Sequence, residues 1–228
     1  MTYILAIETS TTNCSVGLIA NGKCEAFIEE NDGYSHAENL SVFIDELLIL
    51  HEVPKSDIQA VAVTKGPGSY TGLRIGVSTA KGICMALGIP LISVNALNQM
   101  FEHEALENLK FEGNLFYPML DARRMEVYTK TMDINGNTLN EISAEIIDES
   151  FFEDESKNVI LFGPGAEKFQ ATFQNIAHVK IIPNIFPSAQ LMAKEVQQKF
   201  NLKAFEDLAY FEPFYLKGFV ATKPKKLI

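Results

Sequence analysis

The stretch YILAIETSTTNCSVGLIANGKCEAFIEE, residues 3–30, decides the fold. Tyr3 to Glu8 is short and apolar, the length and composition of a buried strand. A polar loop, Thr9-Ser10-Thr11-Thr12-Asn13, separates it from a second strand over Cys14 to Ala20. Asn21-Gly22 then turns the chain into a third strand, Lys23 to Glu30. Asn-Gly between two strand-like runs is a strong hairpin signal, because a type I′ turn needs positive φ at both central residues. Three antiparallel strands are therefore expected at the start of the chain.

Alternation of helix and strand follows. Ser35 and Glu38 have the spacing of a capping box, and Leu40, Phe43, Ile44, Leu47 and Leu48 recur at helical spacing up to Pro54. Ala60 to Thr64 reads as a strand, Gly66-Pro67-Gly68 as a turn, and Tyr70 to Leu87 as a helix stopped by Gly88. Leu91 to Val94 gives another strand, and a third helix is predicted over Asn95 to Lys110.

The second half repeats this order. Strands over Phe116 to Leu120, Glu126 to Met132 and Ile142 to Ile147 carry a second Asn-Gly turn, Asn135-Gly136. Val159 to Phe162 leads into a second Gly-Pro-Gly, residues 163–165, and a helix from Ala166. A short strand over Val179 to Ile182 precedes a helix begun by Pro187 and Ser188. In each half an acid ends the first strand, Glu8 and Asp121. Paired turn signals in matching order predict two similar α/β lobes, each a mixed sheet flanked by helices. That is the actin-like (RNase H-like) architecture, with the division expected between residues 1–110 and 111–228.

Composition narrows the function. At 47% hydrophobic and 21% charged, the 228 residues suit a folded soluble domain pair. No apolar run approaches the roughly 18 residues that span a bilayer, and the first residues lack the basic leader of a signal peptide, so a cytoplasmic protein is expected. Cys14, Cys24 and Cys84 have no zinc spacing. A net charge of −10 disfavours direct, tight binding to a phosphate backbone. The basic cluster Lys217, Lys223, Lys225 and Lys226 reads as a solvated tail.

Candidate chemistry is sparse. Thr9, Ser10 and Thr11, with Gly66, Gly68 and Ser69, could offer hydroxyls and amides to a nucleotide's phosphates. A turn that bonds only its own backbone explains the same residues. Gly66 to Gly72 is not a P-loop, since no Gly-Lys-Ser/Thr follows. His36, His51, His103 and His178 form no metal pattern. Glu8 and Asp121 could serve a kinase or a nuclease, but no further acid joins them. Within the second helix Gly72, Gly76, Ala80, Cys84 and Gly88 fall four apart on one face. Internal glycines cost about 1 kcal/mol each relative to alanine, so a second helix approaching that face is expected, from this chain or from a partner.

Three stretches carry a resemblance: Ile4 to Ser10, Lys65 to Gly76, and Asp121-Ala122-Arg123, with Glu212 to Lys217 and Val220-Ala221 in the tail. They resemble the TsaB (YeaZ) family of tRNA threonylcarbamoyladenosine biosynthesis proteins, most strongly over residues 3–130. The related catalytic family, TsaD, carries two metal-binding histidines four residues apart after the corresponding strand. Here those positions fall on Ala96 and Met100, which suit no hard or borderline metal, so no metal site is expected. The resemblance implies a non-catalytic subunit that supports TsaD in modifying adenosine 37 of tRNA, with the ATPase subunit TsaE and with tRNA met only through the complex. No tightly bound cofactor is implied, and ATP or ADP at the junction and a homodimer of the lone chain are left open. Pairing is implied through the first two long helices, on Leu40, Phe43, Ile44, Leu47, Gly72, Gly76, Ala80 and Ile83. On that expectation Gly76→Leu abolishes pairing and leaves a folded chain. The rivals are a small actin-like kinase and a glycoprotease-like peptidase.

Overall fold

A computed structural model describes residues 3–33, 35–153 and 155–217. Lys223, Lys225, Lys226 and the Val220-Ala221 pair lie outside the described residues.

The first sheet holds β1 (Tyr3–Glu8), β2 (Cys14–Ala20), β3 (Lys23–Glu30), β4 (Ile58–Gly66) and β5 (Leu91–Asn95), in the order β3-β2-β1-β4-β5. The second holds β6 (Asn114–Asp121), β7 (Glu126–Thr129), β8 (Ser143–Ile146), β9 (Asn158–Phe162) and β10 (Val179–Ile182), in the order β10-β9-β6-β7-β8. The two orders are the same topology. In each, the first three strands are antiparallel and the later two add in parallel beyond the first. This is the two-lobed actin-like architecture that the paired turns predict. Asn21 and Gly22 both take positive φ, 52° and 76°, as the hairpin requires.

Period-2 alternation sorts the first sheet's side chains onto two faces. Leu5, Ile7, Val16, Leu18, Val61 and Val63 pack beneath α1 (His36–Leu50) and α2 (Tyr70–Leu87). Ile4, Ala6, Ile19, Ala60, Ala62, Ile92 and Val94 face the other way, against Ala189, Met192, Ala193 and Val196. The last two of these belong to α5 (Ala193–Asn201). Thus residues beyond 188 return to the first sheet, although the sheets themselves divide near residue 110. The tail stays with that lobe: Glu206 N–H donates to Leu91 O at 2.9 Å and Phe214 N–H to Lys65 O at 2.7 Å.

Three local expectations are corrected. The long third helix is instead α3 (Ala96–Met100) followed by a 3-10 segment over Glu104–Leu109. His103 is extended, and its ring Nδ1 accepts the Ala105 N–H at 3.2 Å; the polar run Glu102-His103-Glu104 has no apolar face to hold it helical. At the start of α1 the capping box does not form. Ser35 Oγ accepts from Asn39 Nδ2 at 3.0 Å, and the Ser35 carbonyl takes the N–H groups of Glu38 and Asn39. In the second half, the helix expected from Ala166 is a 3-10 turn, Glu167–Phe169, running into the single turn α4 (Gln170–Phe173).

Candidate functional site

Glu8 ends β1 and is fully buried. Its Oε1 accepts the Ser10 N–H at 2.5 Å, while Oε2 accepts from Gln99 Nε2 at 2.5 Å and from the Thr64 hydroxyl. Burial pushes the carboxyl pKa up, and those hydrogen bonds pull against the shift. Gln99 passes the connection on, its Oε1 accepting the Ser188 N–H at 3.1 Å. One carboxylate thus ties β1, β4, α3 and the returning segment together. It has no solvent face from which to act on a substrate.

The residues considered for phosphate binding clasp one another. Thr9 and Ser10 are buried. Thr9 Oγ1 donates to Gly72 O at 2.8 Å, and Ser10 O accepts the Ser69 N–H at 2.7 Å. Thr11 O lies 2.7 Å from His36 Nε2. A Cβ on Gly68 would overlap Ser10 O, and one on Gly66, at φ +120°, would meet Phe214 O at 2.7 Å. The Thr9–Thr11 loop and the Gly66–Ser69 turn thus pack directly on one another.

The small-residue face of α2 points inward too, which corrects the contact set expected for a partner. Leu40, Ile44, Leu47, Gly72, Gly76 and Ala80 are all buried inside the first lobe, and Phe43 and Ile83 are half-buried against the same core. A Cβ on Gly72 would overlap Thr9 O, and one on Gly76 would overlap Thr9 Oγ1. These glycines admit the β1–β2 loop of their own chain. Gly76→Leu would therefore disturb the fold before it reached any partner.

The outer faces carry different residues. On α1 Val42, Ile49 and Leu50 are exposed, the last two by 74% and 71%. On α2 Met85 is 76% exposed, Leu87 is exposed, and Gly82 has nothing within 4 Å of where a Cβ would stand. The two helices pack against each other. The helical spacing of apolar and small residues marks the inner stripe of both helices, because apolar periodicity follows the face toward a sheet.

Ala96 and Met100, the positions of the related family's histidines, are fully buried in an apolar cluster. That cluster spans the lobes: Leu97 and Phe101 of the first half meet Phe116, Leu120 and Phe162 of the second. Phe101 and Phe116 stack edge to face with centroids 5.1 Å apart. Among the described residues no group of three or more His, Cys, Asp or Glu is placed to hold a metal ion. Burial pushes all three cysteine thiols up to about 11, so none is a thiolate at neutral pH. Asp121 is exposed and paired with Lys168 Nζ at 2.6 Å.

Two five-stranded sheets of the same topology describe an actin-like protein. The family model described as "TsaD: tRNA N6-adenosine threonylcarbamoyltransferase" matches residues 30–153. A threonylcarbamoyltransferase of Christiangramia forsetii is 29% identical over 70% of this chain and 51% of its own length. The tRNA threonylcarbamoyladenosine biosynthesis protein TsaB of Haemophilus influenzae is 29% identical over 96% of this chain and 95% of its own. The solved structure of YeaZ from Pseudomonas aeruginosa superposes with a TM-score of 0.77 at 23% identity, covering 95% of this chain and all of that one. The chain belongs to the TsaD family, in its TsaB (YeaZ) branch. Among the described residues no helix is long and apolar enough to cross a membrane.

Proposed function

We propose that this chain is a non-catalytic subunit of tRNA threonylcarbamoyladenosine biosynthesis, acting in the cytoplasm by binding and supporting a TsaD-type catalytic subunit. The similarity to a TsaB protein over nearly the whole of both chains carries this reading. Two features support it. Ala96 and Met100 occupy the seats of a metal-binding pair with apolar side chains. The outer faces of α1 and α2 expose Val42, Ile49, Leu50 and Met85, from which a folded monomer gains nothing. In this reading the partner docks on that surface, a TsaE-type ATPase joins the pair, and tRNA is held by the assembly. ATP or ADP, if used, sits at the junction. A second copy of the chain can occupy the same surface when the partner is missing.

The test is threonylcarbamoyl transfer to tRNA, reconstituted from a TsaD-type subunit, the adenylate-forming enzyme and a TsaE-type subunit, with or without this chain. Activity is expected only when the chain is present, and Met85→Asp should lower both activity and co-elution with the catalytic subunit. Full activity in its absence, or transfer by the chain alone, would overturn the proposal.

A further inference from the structure

Lys130 follows β7 and is 3% exposed, and among the described residues its Nζ has no hydrogen bond or ion pair to a carboxylate, Glu195 acting on it only at longer range. Its Nζ donates to Thr138 Oγ1 at 2.7 Å and to Asn98 Oδ1. Both acceptors are neutral. A buried ammonium without an ion pair is costly, and here it borders a cavity of about 590 Å³ on the α5 side of the first lobe.

The other walls of that cavity are rich in uncommitted donors. Lys65, at the end of β4, forms no ion pair or hydrogen bond through its Nζ among the described residues, and neither do the side-chain amide nitrogens of Asn95 and Asn98. The oxygens of both asparagines are already occupied: Asn95 Oδ1 caps α3 by accepting from Leu97 and Asn98 N–H, and Asn98 Oδ1 accepts from Lys130. That fixes which end of each amide is left to face outward as a donor. Lys199 adds a third ammonium, engaged by Glu195 at 2.7 Å and by Ser93 O at 2.7 Å. Glu195 and the exposed Glu141 are the acids of the lining. Three cations against two anions leave the site one charge short of neutral.

We propose that this cavity is a binding site for a small oxyanion, a carboxylate or a phosphate group, held by Lys130, Lys65 and the amides of Asn95 and Asn98. The anion supplies the charge that Lys130 lacks and the acceptors that the amides lack. Because the donors come from β4, the end of β5, α3 and the segment after β7, a bound anion joins the two lobes. The site goes beyond the subunit role proposed above and does not depend on it.

Calorimetric titration of the full chain at low ionic strength with inorganic phosphate, and separately with acetate, tests the site. Saturable one-to-one binding is expected for at least one of them, and the anion that binds identifies the chemistry of the headgroup. Lys130→Met should weaken that binding about tenfold or more, the scale of one lost charge-assisted hydrogen bond. Lys65→Ala, on a half-buried side chain whose ammonium makes no hydrogen bond or ion pair among the described residues, gives the same reading should the Lys130 variant fold poorly. Absence of saturable binding by either anion, or unchanged affinity in Lys65→Ala, overturns the assignment.

Discussion

At the residue scale, Lys130 makes its own prediction independent of any ligand. Burial pushes its ammonium down to about 8 from an ordinary 10.5, with Glu195 pulling the other way. Below pH about 8 the group is charged in both the folded and the unfolded chain, and its burial cost is borne in full. Between about 8 and 10.5 the folded chain gives up the proton first, so this group's contribution to stability rises with pH. Urea midpoints of the wild type and Lys130→Met, measured across that window in an anion-poor buffer, should show the wild type gaining on the variant as pH rises. Parallel curves would mean that the ammonium is solvated. Nothing in the sequence announced this residue. A lysine closing Glu-Val-Tyr-Thr-Lys reads as the exposed end of a strand, and only the α3 asparagine and Thr138 brought over it make it a buried one. Thr64, Gln99 and Ser188 were missed for the same reason: each is a lone polar residue in or near an apolar run, and its partner Glu8 or Gln99 lies at least 35 positions away.

At the element scale, α2 separates two kinds of glycine that a four-residue spacing cannot tell apart. Gly72 and Gly76 face the β1–β2 loop at closer than van der Waals range, whereas Gly82 faces open space. Gly76→Ala should therefore lower stability by about 1–3 kcal/mol through overpacking. Gly82→Ala should raise the stability of the lone chain by about 1 kcal/mol, since only helix propensity changes. Thermal denaturation of both variants checks the pair of signs. If α2 docks as proposed, Gly82→Arg leaves the lone chain folded and weakens co-elution with the catalytic subunit. The strands and their order were legible because Asn-Gly and Gly-Pro-Gly dictate backbone geometry locally. The third helix was not, because its polar second half is held by caps and turns rather than by an apolar stripe.

On the scale of the whole molecule, the repeat is complete in topology and broken in sequence order. The second sheet and its helices occupy the middle of the chain, and the first lobe is finished by segments from both ends. Removing everything after Pro187 should uncover Ile4, Ala6, Ile19, Ala60, Ala62, Ile92 and Val94 together. A chain truncated there is expected to lose its cooperative unfolding transition by circular dichroism; a sharp transition retained would show that α5 is dispensable. The resemblance read from Lys65 to Gly76 located the family, and the turn that carries it proves to be an internal clasp, tied by Ser69 to Ser10 and by Lys65 to Phe214.

That returning segment also sets a schedule for synthesis. A ribosome delivers the first sheet early, but one face of it stays bare until Val196 and its neighbours have left the exit tunnel. By then the whole second sheet has been made and is free to fold. The lobe encoded first is thus the lobe completed last, and during that interval its uncovered apolar face is the part of the nascent chain most in need of a chaperone.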